Sequence, residues 1–577
     1  PAAAEVRLSY TGLFDILAGT DLNDIEELAT PQRRALDAAL LREPIDDSSP
    51  EPRAVAAGFL SVLDGLAARA PTLLAIDDVQ WLDEPTRRLV HHASRRCSGP
   101  VAMLIAERGD DATDPDAQIG PIGPERRVVI PLGPLSLGAL HEVVKLRTGV
   151  SLRWPAMVQI TEASAGNPYF AVELARSVDP GSARVDVLPV SLLATLRDRL
   201  APLGPATVAA LGVVSALADP RVELAARALE GGDVEDVLAP ARAAGVVDVA
   251  GGRVRFTHPL LATAVYSEIA PSARRSLHGR LSRIVDDAEE RARHLALASV
   301  VADDVTTAAL DEAAALARRR GAPDTAAELL ERAISLGAAD PRRRIDAADD
   351  HYRAGSLTRA RQLLEEVIPE LAPGALRARA LARLGTVRFE VDASPEASEI
   401  LERAVAENEG DLDLRASTAM ELCWVLFHEG RCRDGLPYAA LAVDDAERLG
   451  HDGLLAEALA VRAAVGFLLG HGSDEAAIAR ALQLEDPDRP TEVHNWPSYI
   501  AARLCWWTHR LDEARSAFAA VRKRCIDHGG ESDLRFMDWW TVQAECAAGD
   551  IASAEALVDE HVERARRSGT DHGAASA

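Results

Sequence analysis

The feature that most limits what this chain can fold into is a recurrence in its C-terminal half. Short breaks fall at Gly321, Gly355, Asp392, Gly430, Gly470, Arg510 and Gly549, and most precede an Ala-rich amphipathic stretch. Two such stretches are Thr325-Ala326-Ala327-Glu328-Leu329-Leu330 and Glu513-Ala514-Arg515 with Phe518. The spacing wanders around roughly 34 to 40 residues, the length of a two-helix repeat unit. Alanine lets paired helices approach closely, and stacking such pairs builds a solenoid. The expectation for residues 286–577 is an α-solenoid superhelix rather than an irregular bundle.

Upstream the pattern changes. Residues 1–135 alternate strand-like and helix-like segments. Phe59 to Ala70 has helical apolar spacing. The run Leu73-Leu74-Ala75-Ile76 is short and wholly apolar, as a central strand of a parallel sheet requires. Asp83 is placed to cap a helix with Pro85 in its first turn. Val101 to Ala106 and Arg127 to Pro131 read as further strands, which implies an α/β sheet. Residues 136–185 read as helical with a Gly-Asn-Pro break. Residues 186–285 combine short helices with a hairpin, Gly245 to Val249 against Arg253 to Phe256, as in a winged helix.

A chain of 577 residues with 48% hydrophobic and 27% charged residues is a multidomain globular protein. A net charge of −27 opposes unspecific attraction to nucleic acid, which relies on basic surface. Arg318-Arg319-Arg320 and Arg342-Arg343-Arg344 sit among acids at helical spacing and read as solvated, ion-paired faces. The six cysteines form no CxxC pair and read as reduced thiols, and the start has no signal-peptide pattern. No apolar run approaches the roughly 20 residues of a membrane span. The expectation is a cytoplasmic protein with no membrane partner.

The strongest chemical signal is the string Leu73 to Asp83, in which two acids follow a buried strand. Ligands of parallel sheets gather at the carboxyl ends of the strands. Mg²⁺ takes hard oxygen ligands and keeps waters, so Asp77 is the candidate metal acid. Asp78 is the candidate for polarising an attacking water or holding a sensing side chain.

The string PTLLAIDDVQWLDEPT, followed by VAMLIAERGD, resembles the Walker B and sensor 1 region of STAND ATPases, and in particular the large ATP-binding regulators of the LuxR family. The repeats likewise resemble tetratricopeptide repeats. That resemblance implies a P-loop NTPase sheet, a helical lid, a winged helix and a sensor solenoid, with ATP or ADP and Mg²⁺ as cofactors. It gives Arg108 the role of γ-phosphate sensor, which its fork of donors suits. Gly166, Asn167 and Pro168 resemble the lid motif whose proline packs near adenine. His258, in Phe256-Thr257-His258-Pro259, would touch the β-phosphate of ADP; read alone, it caps a helix. An inducer or protein on the repeat arm, self-association and DNA contact through a domain beyond Ala577 complete the implied partners.

The sequence departs from the family at one place. A phosphate-binding loop needs GxxxxGK followed by Ser or Thr, and the two lysines, Lys145 and Lys523, stand in neither context. The expectation is therefore a piece of a longer regulator truncated at both ends, its phosphate loop lying upstream of Ser9 to Leu13 and its helix-turn-helix beyond Ala577. Such a piece would bind nucleotide poorly and be inactive as an ATPase. Two other readings remain open: a non-catalytic interaction scaffold on a degenerate NTPase fold, and a STAND module serving another effector.

Overall fold

The computed structural model describes residues 8–25, 28–42, 51–97, 99–107, 127–149, 152–176, 200–229, 233–392, 396–408, 410–489 and 491–568. The chain divides into two compact units that do not follow chain order. One holds Pro1–Leu8 with Pro124–Val300, the other Ser9–Gly123 with Val301–Ala577. The molecule is mostly helical, and no helix among the described residues is long and apolar enough to cross a membrane.

In the second unit the recurrence becomes seven helix pairs. They are Asp304–Arg319 with Pro323–Ser335, Pro341–Arg353 with Leu357–Val367, Ala375–Asp392 with Glu396–Glu407, Leu412–His428 with Cys432–Leu449, Asp452–Leu468 with Glu475–Leu484, Pro497–Trp507 with Leu511–Asp527, and Glu531–Ala548 with Ile551–Ser568. Six of the breaks found in the sequence fall in the turn inside one pair; Asp392 ends the first helix of the third pair, and residues 393–395 lie outside the described residues. Five turns place glycine at positive φ: Gly321 at 76°, Gly355 at 77°, Gly430 at 74°, Gly470 at 85° and Gly549 at 82°. A residue without Cβ enters that region freely. In the sixth turn His509 takes the same conformation at φ 59°, so the Arg510 break is a strained copy of the others. The N–H after each left-handed residue closes the turn, as Ala322 to Ala317 and Arg510 to Cys505 do, both at 2.9 Å.

The arginines of the repeats are paired at a fixed stride. Arg318 meets Asp350 and Arg343 meets Asp311, both 32 residues apart. Arg377 meets Glu407, Arg415 meets Asp445 and Arg515 meets Glu545, each 30 apart. Arg318–Asp350, Arg343–Asp311 and Arg515–Glu545 join neighbouring repeats, whereas Arg377–Glu407 and Arg415–Asp445 join the two helices of one pair. Asp445 and Asp350 are almost wholly buried, which requires such partners.

The same unit holds a short α/β segment: α1 (Thr11–Ile16), α2 (Thr30–Ala39), α3 (Pro52–Arg69), β1 (Thr72–Ile76), α4 (Glu84–Arg96) and β2 (Val101–Ile105). The strands β1 and β2 are parallel, with Thr72 opposite Val101 and Ile76 opposite Ile105. The third strand expected at Arg127 to Pro131 does not form. Residues 127–131 have no strand partner, and Val128, Val129 and Ile130 are exposed. Apolar character permits a strand, but only an adjacent sheet edge makes one. Among the described residues the parallel sheet is two strands wide, well short of a full NTPase sheet.

In the first unit, α5 (Leu137–Thr148), α6 (Trp154–Ser164) and α7 (Pro168–Arg176) share a small core around Leu140, Met157, Ile160 and Leu174. Helices Pro205–Ala216, Val222–Ala228 and Val234–Ala243 then precede the hairpin β3 (Val247–Ala250) and β4 (Arg253–Phe256), antiparallel as expected. A bridge from Arg221 to Arg253 adds a short third edge.

Candidate functional site

The acidic end of β1 is built by the turn that follows it. Val79 N–H donates to the Ala106 carbonyl at 3.0 Å, and Ala106 N–H donates to the Ile76 carbonyl at 2.9 Å. These bonds carry the ladder one step beyond β2 and hold the turn in place. Asp77 is exposed there, at the carboxyl end of its strand. Asp78 adopts φ 53°, a left-handed conformation that Asp tolerates better than most residues, and accepts from Gln80 Nε2 at 2.7 Å. The two carboxylates are thus set apart by the turn, one open and one engaged. Arg108, the expected phosphate sensor, lies outside the described residues.

Asp83 proves to be more than the cap its position suggested. It is buried and accepts four hydrogen bonds: from Thr86 N–H at 2.9 Å, Thr86 Oγ1 at 2.8 Å, Tyr10 N–H at 2.9 Å and Gly12 N–H at 2.8 Å. Leu13 N–H donates in turn to Thr86 Oγ1 at 3.0 Å. One carboxylate therefore caps α4 and locks the Tyr10–Leu13 turn onto it. Gly12 is required there, because a Cβ would stand 2.7 Å from the Leu82 side chain. Sequence reasoning saw the cap and missed the hub, since its other partners lie 71 and 73 residues away.

The Gly-Asn-Pro break and His258 come together in the first unit. Gly166 takes φ 79°, and a Cβ there would lie 2.4 Å from the Pro134 side chain. Its carbonyl accepts from Leu135 N–H at 2.9 Å. Asn167 caps α7 by accepting from Phe170 N–H at 2.9 Å, and Pro168 opens the helix. Tyr169, the next residue, stacks on His258 with centroids 3.8 Å apart and planes at 16°. His258 Nδ1 also accepts from Leu260 N–H at 3.2 Å and so caps helix Pro259–Glu268. The capping geometry is thus realised, and the stack ties the α7 turn to that helix.

The residues present supply an acid for a cation but no cradle for phosphate. Lys145 lies in the last turn of α5, and Lys523 is ion-paired with Asp527 at 2.9 Å on a repeat helix. Neither follows a glycine-rich turn. Among the described residues no group of three His, Cys, Asp or Glu side chains is placed to hold a metal ion. No hydrolytic step follows from these side chains.

No family model matches the chain. No curated protein matches it either. Among solved structures, a Signal Transduction ATPase with Numerous Domains carrying a tetratricopeptide repeat sensor, from Pyrococcus horikoshii, aligns over 93% of this chain and 81% of its own at 12% identity and TM-score 0.47. The tetratricopeptide protein YrrB, described as having an unusual peptide-binding site, aligns over 43% of this chain and 97% of its own at 18% identity and TM-score 0.21. A Rap protein complexed with competence and sporulation factor aligns over 52% and 92% at 12% identity and TM-score 0.33. Two of these three structures are described as carrying tetratricopeptide repeats.

Proposed function

We propose that this chain is the switching core of a STAND-type, ATP-dependent transcription regulator of the LuxR kind, in which the repeat arm senses a ligand and sets the state of the nucleotide domain. The observation that carries the reading is the grip of the arm on the α/β segment. Arg320, in the first repeat turn, donates to the Ser9 carbonyl at 2.6 Å and the Ala39 carbonyl at 3.0 Å. Tyr10 Oη donates to the Gly321 carbonyl at 2.7 Å. At the far end of the arm, Gln32 Nε2 donates to the Ile526 carbonyl at 3.3 Å, and Arg53 faces Asp533 at 3.7 Å. First and last repeats therefore hold the segment that bears Asp77 and Asp78.

A ligand that changes the pitch of the repeats would strain one of these grips, and it would act through its different affinity for the two states. In this reading Asp77 holds Mg²⁺ and Asp78 serves hydrolysis, with Arg108, Gly166, Asn167, Pro168 and His258 around ATP or ADP. The phosphate loop comes from sequence outside this chain, and DNA contact from a domain beyond it. The first test is to express the natural open reading frame and measure nucleotide turnover with and without Asp77→Asn. Loss of turnover with retained fold is expected. An unchanged biological activity of the variant, or an open reading frame without a phosphate loop, would establish the scaffold instead. Tight Mg·ATP binding by the present chain, in calorimetry, would also overturn the reading.

A further inference from the structure

Arg503 departs from the pattern of the ion-paired arginines of the arm. It sits on helix Pro497–Trp507 of the sixth repeat and is only 6% exposed. Arg318, Arg343, Arg377, Arg383, Arg415, Arg489 and Arg515 each meet a carboxylate. Among the described residues Arg503 meets none, and its Nε–H has no hydrogen-bond partner. Its neighbours are aromatic rings instead. The guanidinium carbon lies 4.3 Å from the Trp507 centroid, 4.8 Å from Trp540 and 5.6 Å from Tyr499. Phe467 extends the wall by stacking on Trp507 at 5.4 Å and 3°.

A guanidinium stays charged at any physiological pH, so burial does not neutralise it. Indole faces recover part of the lost hydration, but a buried charge without a counter-charge remains costly. Burial also works against the charged form here, shifting the Arg503 guanidinium below its ordinary range. Against burial, only the Tyr499 hydroxyl, by its charge and hydrogen bond, favours the charged form. Glu421, on the fourth repeat, is committed elsewhere: it faces His494 at 3.6 Å, and although burial would raise its carboxyl, the His494 hydrogen bond and the charges of His494, Arg383 and His428 hold it low. His428 feels Arg503 and His494 as repelling neighbours, and burial lowers it further.

From this geometry we infer that the Arg503 cage, formed by first helices of the fifth to seventh repeats, is a binding site for an organic carboxylate with a flat apolar body. The carboxylate pairs with the guanidinium, its Nε–H included, and the body lies against the indoles of Trp507 and Trp540. As the sensor site of the arm, its role rests on the reading under Proposed function; its binding does not. A free aromatic acid and a peptide ending in an aromatic residue carry the same chemistry, and the site commits to the free acid.

The test uses the full chain without nucleotide and four probes: indole-3-acetate, indole-3-acetamide, acetyl-Gly-Gly-Trp and its C-terminal amide. Thermal unfolding and tryptophan fluorescence are read against probe concentration. Indole-3-acetate is expected to raise Tm and quench fluorescence saturably, and indole-3-acetamide to do neither. Arg503→Met should weaken the response at least tenfold while its own Tm equals or exceeds that of the parent chain, because an uncompensated charge has been removed. Stronger binding of the peptide acid would overturn the choice of the free acid. Equal effects of acid and amide, no effect of either acid, or a marked Tm loss in Arg503→Met would overturn the site. Carboxylate binding that leaves nucleotide turnover of the longer protein unchanged would sink the switch reading and leave the site standing.

Discussion

The repeat arm and the α/β segment that it grips are held by opposite kinds of interaction. The arm repeats itself: an arginine meets an acid 30 or 32 residues along, on the partner helix or on the next repeat, and a left-handed residue closes each described turn. No single pair is decisive, and its neighbours resemble it. The segment has no such redundancy. One buried carboxylate, Asp83, fixes its first turn, and non-repeating contacts at Tyr10, Arg320, Gln32 and Arg53 join it to the arm across 281 to 494 residues of sequence. Periodic contacts spread stability over many sites, whereas singular ones concentrate it. Change near the segment should therefore be felt more sharply than change within the arm.

Asp83→Ala should show the largest effect. It leaves Tyr10 N–H, Gly12 N–H and Thr86 without their acceptor, and at about 1–3 kcal/mol per buried unsatisfied group a loss of roughly 3 kcal/mol is expected in urea unfolding. A loss as small as that of an exposed residue would erase the contrast between the two regions.

Next comes the far grip. Gly529→Ala forces Cβ to within 2.3 Å of the Arg53 carbonyl in a backbone at φ 72°. It should cost about 1–3 kcal/mol. Hydrogen exchange should quicken in Pro52–Arg69 while the first repeat stays protected; uniform quickening would mean the grip is not local.

A third region, in the first unit, sharpens the comparison through one buried histidine. His278 is fully buried, accepts or donates at 2.8 Å with Tyr266 Oη and at 2.9 Å with His294 Nδ1, and lies between them. Burial first, then the charges of His294 and Arg274, push its imidazole down to about 3. A histidine with a folded-state pKa below its unfolded value of about 6.5 contributes stability that is full above that value and lost as pH falls towards 3. Between pH 6 and 4 the first unit should lose up to about 1.4 kcal/mol per pH unit. His278→Gln should flatten that slope, and an unchanged slope would assign the acid sensitivity elsewhere.

The smallest effect is expected in the arm itself. Lys523→Ala removes an exposed pair with Asp527, at 75% side-chain exposure for the lysine, and should change stability by less than about 0.5 kcal/mol.

What could be read from the chain follows distance in sequence. The seven breaks named the seven helix pairs, because a turn needs a particular residue at a particular backbone angle and both are local. The strand before Asp77, the cap at Asp83, the break at Gly166 and the hairpin around Gly251 were legible for the same reason. The arginine clusters were read as solvated faces with ion pairs, and Arg318 and Arg343 do pair, but across repeats rather than along one helix. Arg320 was in that cluster too, yet it is buried against backbone carbonyls of the α/β segment. Arg503 gave no signal at all, since an arginine near tryptophans on a helix has no local mark of being unpaired. Arg127 to Pro131 had the composition of a strand and lacked a neighbour.

By itself, then, the sequence determined where helices begin, turn and end, and that pairs of them repeat. It also placed two acids after a short parallel strand. Tertiary structure alone decided that the α/β segment belongs with the repeats, that Asp83 is a hub, and that Arg503 is caged by aromatic rings with no carboxylate partner among the described residues. The physical reason is one of range. Turn and cap energies depend on residues within a few positions, while burial and charge compensation depend on whichever side chains the fold brings near, however far away they lie in the chain.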